Sequence, residues 1–136
     1  QWMILQQDKP EDFVIATGVQ HSVRSFVDYA AEELGIKIKW QGEGVEEIGV
    51  VDEVDYSIDT EVVPGQVIVR VDPRYFRPTE VETLLGDPTK AKDTLGWTPK
   101  ISFQQLVTEM IQFDLEDAKR DAMCQNEGFQ TFNYNE

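Results

Sequence analysis

At 136 residues the chain amounts to one domain or slightly less, long enough to bury a real core. Its 26 acidic side chains against 12 basic ones leave a formal net charge of −14, which argues against unaided binding to nucleic acid or anionic lipid and for a solvated acidic surface. Cys124 and His21 are each alone, so an internal disulfide, a cysteine metal cluster and a His-rich zinc site are excluded, and a reducing, cytoplasmic setting is expected.

The opening Gln1–Gln7 reads as the last turns of a helix, too short to span a membrane and without a basic leader. Asp8-Lys9-Pro10 ends it, because proline disfavours helical geometry in the residue before it. Phe13–Ala16 is apolar and partly β-branched, is closed by Thr17-Gly18, and is predicted to be a buried strand. Ser22 then caps a helix from about Val23 to Leu34, with Val23, Phe26, Val27, Ala30, Ala31 and Leu34 on one face. Arg24 in its first turn is expected to be solvated. Gly35 stops the helix as a residue free to turn left-handed.

Ile36, Ile38 and Trp40 alternate with Lys37 and Lys39, the period of a half-buried strand. Gly42 and Gly44 form a G-x-G with no helix pattern behind it, which reads as a turn rather than a phosphate loop. Ile48–Val54 and Gln66–Val71 read as an antiparallel hairpin whose long acidic tip, Asp55–Gly65, lacks the calcium-loop pattern; no metal site is assigned. Asp87 is expected to cap a short helix with Pro88 at its first position, ending at Gly96. Ser102 opens the longest helix with Gln105 completing a capping box and Ile101 and Leu106 a staple. Its expected buried face is Phe103, Leu106, Val107, Met110 and Ile111. Glu116–Asp121 and the tail Gln125–Glu136 show no periodicity, and residues 123–136 are expected to be exposed or disordered.

Between the hairpin and the short helix lies the densest basic cluster. Arg70, Arg74 and Arg77 fall within eight positions, and Arg77-Pro78-Thr79-Glu80 sets an acid three residues from an arginine across a proline bend. A guanidinium fork can grip phosphate while a carboxylate accepts the hydroxyl protons of a neighbouring ribose. The alternative is a surface ion pair. Arg74 either adds positive potential or pairs with Asp72. Trp40 either stacks on a base or packs. Arg70 reads as exposed on a strand, and Lys90 and Lys92 as solvated helix residues.

Three runs, RYFRPTEVETLLGDPTKA, DFVIATG and HSVRSFV, occur together with a Leu-Gly-Trp ending. This combination resembles the C-terminal part of the extended short-chain dehydrogenase/reductases that act on nucleotide sugars, the GDP-mannose 4,6-dehydratases among them, from the first residue to about Lys119. The resemblance implies a mixed α+β (α/β) substrate-binding portion without the main Rossmann sheet. Residues 1–17 would be the last helix and strand of a cofactor domain, and 18–122 the nucleotide-sugar domain. It implies Arg77 and Glu80 as nucleotide-binding residues, with Arg74 and Trp40 as secondary candidates, GDP-mannose or a related GDP-sugar as substrate, and a homo-oligomeric parent lyase in deoxysugar synthesis. It also implies NADP, a Tyr–Lys pair and a Glu base, all upstream. The G-x-x-G-x-x-G and Tyr-x-x-x-Lys patterns are not found in this sequence: Tyr29, Tyr56 and Tyr75 have no Lys four residues on, and Tyr134 has no residue there. The chain is therefore expected to be a portion of such an enzyme, inactive alone. Two alternatives stay open, a part of another nucleotide-sugar epimerase or dehydratase, and a nucleotide-binding module without catalysis.

Overall fold

The computed structural model describes residues 1–58, 60–77 and 84–131. In chain order the described elements are helix α1 (Trp2–Leu5), helix α2 (Val23–Glu33), strands β1 (Ile36–Gln41), β2 (Ile48–Val54) and β3 (Val67–Arg70), and helices α3 (Thr89–Leu95) and α4 (Phe103–Asn126). This is the mixed α+β arrangement expected, a three-stranded antiparallel sheet in the order β1-β2-β3 with helices packed beside it.

Local chemistry accounts for the α2–β1 unit. Ser22 accepts the Ser25 N–H at 3.0 Å and so satisfies a free donor of the first turn. Leu34 closes the helix, and Gly35 reverses the chain at φ +70°. In β1 burial alternates residue by residue from Ile36, the period-2 signature seen in the sequence. Ile36 stands opposite Val54 and Gln41 opposite Ile48, with one irregularity between Lys37 and Ile38. Ala31, Ile36 and Val51 form the buried centre, with Leu34, Ile38, Val54 and Val62 packed around them. Gly49 in the middle strand has no room for a side chain, since a Cβ there would lie 3.0 Å from Val69 Cβ and 3.1 Å from Ile38 Cγ2. Across the sheet, β2 and β3 make the expected hairpin.

Ala91 and Leu95 of α3 and Val107 of α4 are also buried. The expected Asp87 cap is corrected: α3 starts at Thr89, one residue later, with Pro88 at the cap position and no side-chain cap bond, and Asp87 accepts the Thr89 N–H at 2.9 Å in the turn before it. These Thr89 bonds, first the hydroxyl and then the N–H, hold the Asp87 carboxyl below its ordinary range. The Ser102–Gln105 capping box is complete: Gln105 N–H donates to Ser102 Oγ at 3.2 Å, and Ser102 N–H donates to Gln105 Oε1 at 2.8 Å. Phe103 then meets α2 through edge contacts with Phe26 and Tyr29, and stacks on His21 at 3.9 Å.

Three further expectations are corrected. Phe13–Ala16 is not a strand: among the described residues it has no ladder partner, and a strand without one leaves its N–H and C=O groups to solvent. It runs instead beside 86–88, where a Cβ on Gly86 would stand 2.7 Å from Ala16 Cβ. Second, α4 does not fade at the charged end but continues to Asn126, so residues 123–126 are helical, and all but half-buried Cys124 are exposed as one of the two expected alternatives had it. Glu116–Asp121 lacks an apolar period, yet Glu116, Ala118, Lys119 and Arg120 are good helix formers, and Arg120 pairs with Asp117 at 3.1 Å one turn away. Third, the buried face of α4 is narrower than its pattern: Val107 is buried, Phe103 and Ile111 half-buried, and Leu106 and Met110 exposed.

Two measurements check this description. Ser102→Ala removes the side-chain half of the capping box and is expected to cost about 1 kcal/mol in denaturant unfolding. Amides of Val14, Ile15 and Ala16 are expected to exchange with solvent far faster than Val51, whose N–H bonds Gln66 O at 2.9 Å inside the sheet. Equal protection in both segments would overturn the correction at Phe13–Ala16.

Candidate functional site

The basic stretch leaves β3 through a tight turn. Tyr75 N–H donates to Asp72 O at 3.0 Å, and Arg74 N–H to Asp72 Oδ1 at 2.9 Å, so Asp72 closes the bend with its backbone and its side chain. The Arg74 side chain folds back on the same carboxylate, with Nη2 at 2.7 Å from Oδ2 and Nε at 3.1 Å. Its guanidinium also lies 5.4 Å from the centre of the Tyr75 ring. Of the two readings open for Arg74, the geometry realises the pair with Asp72. The Arg74 bonds hold the Asp72 carboxyl below its usual range and raise the Arg74 guanidinium.

Arg70 is exposed at the end of β3, in register with Ile48. Phe76 reaches the G-x-G turn: a Cβ built on Gly44 would stand 3.6 Å from Phe76 Cζ. Gly44 opens a single 3-10 turn, Gly44–Glu46, so the turn reading of the two glycines holds. Arg77 is exposed and directly follows Phe76. Glu80 lies outside the described residues.

Trp40 is half-buried and committed to packing within the fold. Its indole N–H donates to Asp28 Oδ1 at 2.8 Å, and the Arg24 guanidinium sits 5.3 Å from the ring centre. Arg24 is the exposed first-turn residue expected, and it also pairs with Glu47 beside the 3-10 turn. Lys90 is likewise an exposed helix residue, as expected, but with partners the sequence did not announce. Its ammonium meets Asp12 O and Glu11 Oε2, each at 2.9 Å, and lies 4.8 Å from the Phe13 ring, tying the amino-terminal segment to α3.

No three metal-ligating side chains converge among the described residues, and no described helix is long and apolar enough to cross a membrane. An apolar cleft of about 600 Å³ between Val19, His21, Ile101 and Leu106 contains none of the candidate arginines. A dinucleotide does not fit the G-x-G of this chain. A Cβ at Gly42 would be 2.3 Å from Glu46 O, so the turn is closed upon itself, and Glu43, Glu46 and Glu47 surround it with negative charge.

Comparison with known proteins decides the affiliation. The model of the family described as GDP-mannose 4,6 dehydratase matches residues 1–110. The chain belongs to this family. A GDP-mannose 4,6-dehydratase of Vibrio cholerae is 54% identical over 128 residues, covering 94% of this chain and 34% of the relative. A GDP-mannose 4,6-dehydratase of Yersinia enterocolitica is 54% identical over 129 residues, 95% of this chain and 35% of its own. A GDP-mannose 4,6 dehydratase of Homo sapiens is 47% identical over 115 residues, 85% and 28% respectively. The chain thus spans about a third of the length of the curated relatives it matches.

Within this dehydratase-family chain, sequence reasoning missed Phe76, Asp28, Glu47 and the partners of Lys90. The signals were present only as residue types, since Trp40 and Asp28 are 12 positions apart, Arg24 and Glu47 are 23, and Lys90 and Asp12 are 78. Only the Asp72–Arg74 pair, two positions apart, could be foreseen.

The Asp72–Arg74 turn has a defined pH dependence. A carboxyl whose folded value is lowered contributes stability fully above its unfolded value, about 3.9, and loses it as pH falls through the folded value. A carbon-detected titration is expected to place the Asp72 midpoint below about 3.9, and Arg74→Gln to raise it part of the way back, since the main-chain N–H of residue 74 still bonds Oδ1. An unchanged midpoint in the variant would show that Arg74 is not the cause.

Proposed function

We propose that this chain is the GDP-sugar-binding portion of an enzyme that converts GDP-mannose to GDP-4-keto-6-deoxymannose. The reading rests on one observation: a chain at −14 whose sequence belongs to the dehydratase family carries its dense arginine cluster, with the Arg-Pro-Thr-Glu run, in the matched part. In this reading Arg77 grips the diphosphate through its planar fork, and Glu80 accepts the hydroxyl protons of the adjacent ribose. Arg74 is spent on Asp72 and contributes field rather than contact. Trp40 braces the fold beneath. Guanine is preferred over uracil or thymine on the relatives' printed substrate, which no residue here reads by itself.

The overall reaction removes one water from the hexose with no net redox. NADP supplies the transient hydride acceptor, and we assign its binding, the Tyr–Lys pair and the Glu base to sequence outside this chain. What these residues contribute is binding energy from the non-reacting nucleotide, which fixes the sugar against catalytic groups elsewhere.

Calorimetry with GDP on the full-length protein carrying this chain tests the reading. Arg77→Ala is expected to cost about 2–4 kcal/mol of binding, roughly 30- to 900-fold in Kd. Arg77→Lys recovers only part, because a point charge cannot reproduce the fork. Glu80→Gln costs less than Arg77→Ala, since an amide still accepts from one hydroxyl. Normal folding with affinity within about twofold in Arg77→Ala would reduce the site to a surface ion pair.

A further inference from the structure

Resting on the reading of this chain as a portion of a longer enzyme, we infer that its apolar cleft is a docking face within one polypeptide. The occupant is the part of the same molecule that lies outside residues 1–136. The cleft, about 600 Å³, opens between the loop before α2 and the start of α4. Val19 is 61% exposed there, Ile101 53% and Leu106 45%, although each is a side chain that gains by burial. From Leu106 the apolar surface continues along one face of α4 through Met110 and Phe113, four and seven residues on, both exposed. Soluble surfaces scatter such residues singly, whereas a contiguous run of them marks a contact.

The distribution of charge singles out the same face. Residues 13–27 and 94–108 hold none of the chain's 26 acidic side chains, and they supply every side chain lining the cleft. On a chain at −14, two distant segments have come together to make an acid-free surface. The core of an interface is depleted of charge, because a charge buried there must be desolvated. A second acidic surface can close on this face without like-charge repulsion at the contact. Lys100 in the lining makes no ion pair among the described residues, so the covering surface is expected to bring apolar groups with a carboxylate at their edge.

A second copy and the remainder of the same chain compete for such a face. This chain spans 34% of the Vibrio cholerae relative, so in a protein of that length most of the polypeptide is tethered beside the cleft. A tethered segment acts at an effective concentration on the order of millimolar, above that of a second copy in dilute solution. Tethering selects the intramolecular occupant.

Photo-cross-linking in the full-length protein, without nucleotide, tests this. p-Benzoylphenylalanine takes the place of Leu106, and in a second variant of Ile101. After irradiation the product is sized under denaturing conditions and its linked peptides are sequenced. The expected product has the mass of one chain, with a linked peptide from outside residues 1–136. Hydroxyl-radical oxidation of the unaltered protein needs no substitution: Met110 is expected to react at least about tenfold slower when folded than in urea. A product of twice the chain mass makes the occupant a second copy and overturns the inference. Links confined to residues 1–136, no link in a folded variant, or weaker protection of Met110 overturn it as well. Normal GDP binding by Arg77→Ala overturns the nucleotide assignment alone and leaves a single-chain link standing.

Discussion

The reversal at Gly35 is the constraint on which the rest of the molecule depends. A single residue at φ +70° carries the chain from α2 into β1, and a Cβ there would be 2.6 Å from Ile58 Cδ1 and 3.1 Å from Asp55 Cβ. Its carbonyl accepts the Asp55 N–H at 2.8 Å, so the end of the helix, the first strand and the hairpin tip meet at one point. Only with this sharp turn does the apolar face of α2 fall onto the strand that follows it, placing Ala31 against Ile36 and Val51. Side-chain bonds then extend the constraint outward. Asp28 on α2 takes the Trp40 indole, Arg24 covers that indole and holds Glu47, and Glu47 borders the turn that meets Phe76.

What could be read in the sequence was what depends on near neighbours. The Ser102–Gln105 box, the left-handed stops at Gly35 and Gly96 and the alternation through Ile36–Trp40 each involve residues a few positions apart. Phe13–Ala16 failed for the complementary reason. Its composition suits a strand, but a strand is a relation between two segments, and composition describes only one. The extension of α4 failed differently, because propensity and charge pairing sustain a helix where no apolar stripe announces it.

The three arginines show how the same limit acts on a site. By residue type they are equivalent, yet their settings differ. Arg70 ends an outer strand, where alternation leaves it exposed. Arg74 follows Asp72-Pro73, and the turn those residues form returns the guanidinium to Asp72. Arg77 comes one residue after Phe76, whose ring lies near the Gly44 turn. Sequence distance of two made the Arg74 pair foreseeable, whereas Phe76 and Gly44 are brought together only by the sheet.

A net charge of −14 and an anion site are compatible because they act over different distances. Two unit charges 20 Å apart near a protein surface interact by under about 1 kcal/mol, and salt screens them beyond a Debye length of about 8 Å. The same charges at 4 Å are worth about 4 kcal/mol at an effective dielectric of 20. Distant carboxylates therefore slow approach, while a cation in contact decides affinity. Where so much depends on contact, a guanidinium displaced by an ångström or two forfeits most of its advantage over the acidic background. Contact geometry, rather than the count of basic residues, is what an anion site on a strongly acidic chain depends on.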